Sequence, residues 1–399
     1  MRYYCGEERH LAGGFGRFFL ADTEKSLSKL KKSYKNSIQL IYLDPPFGTG
    51  DTFSMKLGKG QRAVKIPLYQ DQMPRDEYLQ WMRSILKACH EMLAPSGSLY
   101  LHIDYRMHAH LKLLLDDIFS EDNFMNEIIW SYKSGGRSTR YFPRKHDVIL
   151  FYRKSRKVYF DIRAVGKPRG AERRNHMKRF VDEDGRVGFS IRSNGKLYKY
   201  YEDSLIFPTD VWDDIEHLQQ KDKERLGYAT QKPEALLQRI ILSSSKEGDT
   251  VMDLFSGSGT TAAVASKLNR RFVAVDASPV SLYTIRKRLL SLGSLIDLSG
   301  TASTELTLSY PKDMCEAELD FEIIKRGAHR FASVKSLNLN GAGSPPVYAA
   351  IGTVKGNCFY PVETNCHPRL PIKLQLPRDG EAVIHLVDSY GHQLFWGVD

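Results

Sequence analysis

The stretch that decides the fold runs from Thr250 to Asp276, TVMDLFSGSGTTAAVASKLNRRFVAVD. Thr250 to Phe255 is a mostly apolar run, the pattern of a strand covered on both faces. Ser256 to Gly259 is a Gly-rich turn, Thr260 to Leu268 predicts a helix, and Phe272 to Asp276 predicts the next strand. Strand, glycine turn, helix and strand make a βαβ unit, and such units build a parallel sheet. Glycines let the backbone approach a ligand closely, and an acidic residue ~20 positions further on can take ribose hydroxyls. Asp276 holds that position. The unit therefore predicts a nucleotide-type cofactor site at the carboxyl ends of parallel strands; a helix N-terminus packed tightly on its strand is the plainer alternative. The dinucleotide fingerprint lacks its third glycine here, and no Gly-Lys-Ser/Thr follows to make a phosphate loop.

Toward the N-terminus the same alternation recurs. Ser37 to Asp44 (SIQLIYLD) predicts a buried strand, and Asp76 to Leu93 a helix with Tyr78, Leu79, Met82, Ile85, Leu86 and Met92 at helical spacing. The turn Pro95-Ser96-Gly97 leads into a strand over Ser98 to Ile103, and Pro233 opens a helix that runs to Ser244. At the end of the first of these strands stands Asp44-Pro45-Pro46-Phe47. Two prolines fix φ, remove two amide donors and hold the preceding residue extended. A carboxylate is thereby fixed beside an aromatic ring, with carbonyls left to accept hydrogen bonds. Such a corner can take both N–H groups of an exocyclic amine and stack the attached ring. Its alternative reading is a rigid turn whose Asp caps a helix.

With 42% hydrophobic and 26% charged residues in 399, the chain has the composition of a folded protein of two or three domains. No apolar run reaches the ~18 residues of a membrane span, and the first residues lack the apolar core of a signal peptide. Five scattered cysteines without a Cys-x-x-Cys predict a reducing, cytoplasmic setting. Cys358, Cys366 and His367 lack a fourth ligand at zinc spacing, so no metal is expected. Ser131 to Tyr200 holds 20 Lys/Arg against six Asp/Glu, a local excess larger than the whole-chain net of +11. This block, with Arg137, Arg140, Arg144, Lys145, Arg173 and Arg174 interleaved with Tyr132, Tyr141, Phe142, Tyr152 and Tyr159, predicts a polyanion surface. One strand is expected inside it, over Asp147 to Tyr152. After a linker at Ser291 to Gly300, short alternating runs such as Ala382 to Val387 predict a small, mainly-β domain.

Taken in order, Asp44-Pro-Pro-Phe, the basic stretch, Thr230-Gln231-Lys232-Pro233-Glu234 and Asp253-x-Phe-x-Gly-Ser-Gly-Thr-Thr resemble the β class of DNA amino-methyltransferases, which includes type III modification subunits. Gly97 to Asp104, Asn126 to Trp130 and Lys145 to Phe151 extend the likeness across about residues 35 to 290. The resemblance implies a doubly wound, Rossmann-like α/β methyltransferase sheet with an inserted basic target-recognition region and a C-terminal β-rich domain. The boundaries it suggests are 1–130 for the catalytic half, 131–209 for target recognition, 210–290 for the cofactor half and 301–399 for the accessory domain. It implies S-adenosylmethionine as methyl donor, and double-stranded DNA as substrate. A restriction endonuclease subunit and a second copy of the chain are candidate partners.

By the same resemblance Asp44, Pro45, Pro46 and Phe47 are catalytic, with the amine bonded to the Asp44 carboxylate and Pro45 carbonyl, and the flipped base stacked on Phe47. Asp253, Phe255, Ser256, Gly257, Gly259, Thr260 and Asp276 would hold the cofactor, and Lys232 and Pro233 would close over it. For Lys232 the other reading is a surface lysine at a helix start. Asp at the first position of the corner favours adenine N6 over cytosine N4. An N4-cytosine enzyme and a DNA-binding specificity subunit with a lapsed site are the alternatives, while the motif order counts against RNA and protein-amide methyltransferases. His102 and Asp104 are read as structural or cofactor-pocket residues.

Overall fold

The computed structural model describes residues 16–48, 50, 52–57, 64–70, 72–133, 137–170, 176–228, 230–278, 280–281, 284–285, 288–289, 296–297, 317–326, 329–339, 346–355, 358–366, 372–376, 382–388 and 393–398. Its centre is a nine-stranded sheet. The strands are β1 (Gly16–Leu20), β2 (Ile38–Leu43), β3 (Leu93–Ile103), β4 (Phe124–Ser131), β5 (His146–Arg153), β6 (Val211–Trp212), β7 (Thr250–Asp253), β8 (Arg271–Asp276) and β9 (Ile296–Asp297). Their spatial order is β6-β4-β5-β3-β2-β7-β8-β1-β9. β5 runs antiparallel to both of its neighbours, and the other pairings are parallel.

Helices α1 (Thr23–Tyr34), α2 (Arg75–Met92), α3 (His108–Phe119), α4 (Glu234–Ser244) and α5 (Thr260–Lys267) cover the sheet. Side chains alternate across a strand, so β2 feeds two cores. Ile41 and Leu43 pack with Met82, Ile85 and Leu86 of α2 and Leu111 and Leu115 of α3. Leu40 and Tyr42 pack with Leu236, Leu237 and Ile240 of α4 and Val264 of α5. Burial on both faces is why this strand reads as a mostly apolar run, broken by Gln39, whose amide donates to the Ser96 and Ser244 carbonyls. The architecture is the three-layer α/β sheet that the alternating pattern predicts.

Three elements depart from the expected boundaries. The strand over Asp147 to Tyr152, read as part of the basic region, is β5 and sits inside the main sheet between β3 and β4. Its apolar centre, Val148 to Tyr152, is fully covered, while the basic residues that dominated the count flank it. β1, in the N-terminal half, pairs with β8 of the cofactor half. Part of the expected linker forms β9, which pairs with β1.

The basic region beyond β5 includes an antiparallel meander of Lys178–Val181, Val187–Ser193 and Lys196–Tyr201. At the C-terminus, Ala317–Arg326, His329–Leu339 and Ile372–Gln375 form one antiparallel sheet. Cys358–Cys366, Pro346–Lys355, Ala382–Asp388 and Gln393–Val398 form another. Ala332, Val334 and Leu374 of the first meet Ala349, Ile351 and Ile384 of the second in one buried cluster. Cys358 and Cys366 stand at opposite ends of one strand, about 26 Å apart at the usual rise per residue, too far to share a metal. His367 lies outside the described residues.

β7 passes into α5 through a turn that only glycine makes cheaply at two positions. Gly257 has φ +47° and Gly259, the N-cap of α5, has φ +76°. A Cβ at 259 would lie 2.1 Å from Cγ1 of Ile285, whereas one at 257 would reach the Tyr228 ring at 3.4 Å, an ordinary contact. Gly259→Ala is therefore expected to cost ~2–4 kcal/mol, left-handed strain plus the clash, and Gly257→Ala ~1–2 kcal/mol. Urea unfolding of the two variants checks the order; equal losses would count against the tight packing at Ile285.

Candidate active site

The sheet order reverses between β2 and β7. From β2 the chain crosses to β3 on one side, and from β7 it crosses to β8 on the other. A crevice opens at the carboxyl ends of two strands where connections diverge in this way. Asp253, the last residue of β7, is in register with Tyr42 of β2, so Asp44 lies two residues beyond it on the adjacent strand. The structure thus brings the Asp-Pro-Pro-Phe corner and the Gly-rich turn to the two lips of one crevice.

Lys232, from the segment leading into α4, donates from Nζ to both Asp44 oxygens, at 2.8 Å to Oδ1 and 2.6 Å to Oδ2. The ammonium also stands 5.3 Å from the centroid of the Phe47 ring. Lys232 is only 9% exposed, which removes the surface-lysine reading. Its nearest charged neighbour is the carboxylate of the corner, a placement that its expected role beside the cofactor did not include. Pro233 is the N-cap of α4, and the Lys232 carbonyl accepts from the Thr260 hydroxyl at 3.1 Å, tying this segment to the start of α5.

The corner is braced from below. Tyr78 of α2 donates to the Pro46 carbonyl at 2.7 Å, so that acceptor is already used. No donor among the described residues reaches the Pro45 carbonyl. Phe47 packs against the His102 ring, centroids 5.9 Å apart. His102 is fully buried; its Nδ1 meets the Tyr42 hydroxyl at 2.8 Å and its Nε2 meets Asp147 at 3.2 Å. In the neutral tautomer Tyr42 donates to Nδ1 and Nε2–H donates to Asp147. Burial works to raise the Asp147 pKa, but the His102 hydrogen bond and the surrounding positive charge pull it down to about 2. Burial, followed by the charge of Asp44, pushes the Tyr42 hydroxyl well above its usual range. Tyr42 and Asp147 were not picked out from the sequence; each occupies a position in an apolar strand run. Asp104 accepts from the backbone N–H and the side chain of Arg106, a local loop clasp.

His217 has no sequence signal at all. Its ring stacks on Trp130 at 4.6 Å and meets Tyr132 edge-on at 4.2 Å. Its Nε2 is buried with no hydrogen-bond partner among the described residues, and burial lowers its pKa. Asp147, Lys232 and Asp44 all act on it electrostatically, which places it at the corner's side of the crevice.

On the other lip, Asp253 accepts from the Phe255 N–H at 3.0 Å and from the Thr261 hydroxyl. Desolvation pushes its pKa up to about 7. Asp276 accepts from the Gly257 and Ser278 N–H groups, each at 2.8 Å. Burial raises its pKa against the pull of these two N–H groups and of the Ser281 hydroxyl, which also bonds the carboxylate. Phe255 meets Trp81 of α2 edge-on at 5.4 Å. The Ser256 hydroxyl is buried without a partner among the described residues. A glycine turn that admits close approach, with a hydroxyl unpaired and two carboxylates without a cation among the described residues, suits a ligand carrying hydroxyls and a positive charge. Thr260 is occupied otherwise, bonded to Lys232 and Arg288.

Of the basic residues expected to touch a polyanion, Arg137 and Arg140 are exposed. Arg144 lies over the Tyr105 ring at 4.1 Å and the Tyr141 ring at 4.9 Å. Lys145 donates to the Lys133 carbonyl at 2.7 Å. Arg173 and Arg174 lie outside the described residues.

A family model described as DNA methylase matches residues 38–287, more than half of the chain. The chain belongs to this DNA methylase family. Its similar relatives include the type II methyltransferase M.EcaI of Enterobacter cloacae, 29% identical over 73% of this chain and 74% of that protein. The type II methyltransferase M2.DpnII of Streptococcus pneumoniae is 31% identical over 67% of this chain and 87% of its own length. The DNA adenine methyltransferase YhdJ of Escherichia coli strain K12 is 29% identical over 63% of this chain and 76% of its own length. No helix among the described residues of this DNA methylase is long and apolar enough to cross a membrane.

The raised Asp253 pKa has a consequence for stability. A carboxyl that titrates near 7 when folded and near 3.9 when unfolded binds more protons in the native state between those values. Stability is then lost as pH rises from about 4 toward 7. An asparagine side chain at this position cannot ionise, accepts from the Phe255 N–H through its amide oxygen and can donate to the Thr261 oxygen. Asp253→Asn is expected to raise ligand-free stability more at pH 8 than at pH 5, the gain growing by ~2–3 kcal/mol between the two. Thermal melts at the two pH values decide; a wild type more stable than the variant at pH 8 would rule out a costly buried charge.

Proposed function

We propose that this DNA methylase transfers a methyl group from S-adenosylmethionine to the exocyclic N6 amine of adenine in double-stranded DNA. The observation that carries the reading is the Asp44 carboxylate fixed at the end of β2, beside the glycine turn at the end of β7. The kinship to a named DNA adenine methyltransferase supports the choice of base. The cytoplasm, a restriction endonuclease partner and self-association belong to this proposal as secondary expectations from the family resemblance.

S-adenosylmethionine supplies a methyl carbon activated by a sulfonium charge. Asp253 and the Ser256 hydroxyl are the groups for its methionine end, and Asp276 and the Gly257 backbone those for its ribose. The chain's own task is to make an amide-like amine nucleophilic. An aromatic amine delocalises its lone pair into the ring. Hydrogen bonds from its two N–H groups to Asp44 and the Pro45 carbonyl favour a tetrahedral nitrogen and localise that pair. Prolines at 45 and 46 fix the acceptors in advance, so little reorganisation opposes the reaction. The amine is out of reach inside a duplex, so the base must leave the stack, and the Phe47 ring offers a face for it.

Lys232 fits this chemistry as an occupant of the amine's place. Its ammonium presents N–H donors to the same carboxylate oxygens that the substrate amine needs. An incoming amine must share or displace it, and until then the two hydrogen bonds hold the Asp44 side chain in place.

Asp44→Ala is expected to abolish turnover, a loss of at least ~10²–10³ in kcat, with donor affinity unchanged within about two-fold. Lys232→Ala is expected to lower kcat by ~10-fold or more, also at near-constant donor affinity. Tritiated-methyl transfer and calorimetric titration of the donor measure the two quantities. A large loss of donor affinity in Lys232→Ala would return that residue to the cofactor side. Long-read sequencing of DNA from cells making the protein reports the modified base, and N4-methylcytosine there would overturn the adenine assignment but not the family.

A further inference from the structure

We propose that Phe142 is a wedge that enters the DNA stack and fills the gap left when the target base turns out. This rests on the functional reading above and adds a residue that positions the substrate. Phe142 is 95% exposed, the most exposed of the large apolar side chains among the described residues. A phenyl ring held in water gains nothing for the fold, so its role lies in what comes to cover it.

The segment carrying it is held, not loose. The Tyr132 N–H bonds the Lys145 carbonyl at 3.0 Å and Lys145 Nζ bonds the Lys133 carbonyl, which closes the loop at its base. The Ser138 hydroxyl accepts from the N–H groups of Arg140 and Tyr141. Arg144 is pinned by the Tyr105 hydroxyl at 2.9 Å and lies over the Tyr105 and Tyr141 rings. Pro143 biases Phe142 toward extended backbone, and the 95% exposure of Phe142 means that the ring is not covered by the loop.

The loop's location follows from strand direction. β5 is antiparallel to β3, with Val148 opposite Ile103, so the start of β5 lies at the carboxyl ends of the parallel strands. That is the edge on which Asp44 stands. Residues 137–145, RSTRYFPRK, carry four cations and no carboxylate. Positive charge around a projecting aromatic ring suits a phosphate backbone on either side of a base step. Apolar side chains wedged between steps unstack them at a few kcal/mol, which contacts elsewhere repay.

The test compares two substrates bearing the sequence that long-read sequencing returns: a fully paired duplex, and one with an abasic site opposite the target. The second has already lost the pairing that the wedge helps to break. Phe142→Ala is expected to lower kcat/KM by about 10-fold or more on the paired duplex and by less than about two-fold on the abasic one. Phe142→Trp should retain activity on both. Equal losses on the two substrates, or no loss on the paired duplex, overturn the wedge. Wild-type protein that methylates neither substrate overturns the functional reading itself, so the two failures are distinct. The exposure of Phe142 keeps folding out of the comparison, and an unchanged melting temperature verifies this.

Discussion

The parallel register between β2 and β7 is the constraint on which the site depends. Asp253 sits opposite Tyr42, and neighbouring strands lie only ~4.8 Å apart. Asp44 and the glycine turn, about two hundred residues apart in the chain, therefore have no choice but to share a crevice. A slip of one residue would turn Leu40 and Tyr42 to the core that now takes Ile41 and Leu43. Full burial on both faces makes that slip costly. The packing that stabilises the sheet also sets the distance between the Asp-Pro-Pro-Phe corner and the glycine turn, and α2 reaches both lips, through Tyr78 to Pro46 and Trp81 to Phe255.

The two lips differ in how their carboxylates are compensated. Asp44 has an ammonium on both oxygens, while among the described residues Asp253 has a hydroxyl and an amide, and desolvation drives it up toward neutrality. A largely buried ion pair is weak evidence for stability, since well-packed apolar residues of the same volume often do better. Lys232 and Asp44 together are therefore better explained by chemistry than by folding. A carboxylate with no cation beside it among the described residues, as at Asp253, is the chemical complement of a positively charged group. Paired titratable groups with opposed environments mark a site in which roles are divided.

How much of this was legible follows burial. Ile38–Leu43 and Thr250–Asp253 announce themselves because a strand covered on both faces must be mostly apolar. The glycine turn does so because the left-handed backbone at 257 and 259 disfavours any side chain. β1 is five residues long and follows a glycine-rich start, which gave no period to read. The partner of Lys232 lies 188 positions away, and nothing local to Thr230–Glu234 encodes which way its chain will point. Tyr42, Asp147 and His217 are hidden for a related reason. Their polar atoms matter only once β2, β3, β5 and the segment after β6 are assembled.

Strand direction also divides the basic block into parts that a charge count cannot separate. β5 runs against its neighbours, so the residues before it, including Arg137, Arg140 and Arg144, lie on the crevice edge. Its end, Arg153 opposite Ser98, is on the far edge. The chain beyond leaves from there: Tyr159 bonds the Ser96 carbonyl and Asp161 the Ser243 carbonyl. It returns through β6, parallel to β4, and so re-enters on the crevice side with His217, Tyr228 and Lys232 following. One reversed strand thus places a short cationic loop beside Asp44 and starts the longer basic segment from the opposite edge. The two cationic stretches leave the sheet from opposite edges, so the charge of one can change without touching the other.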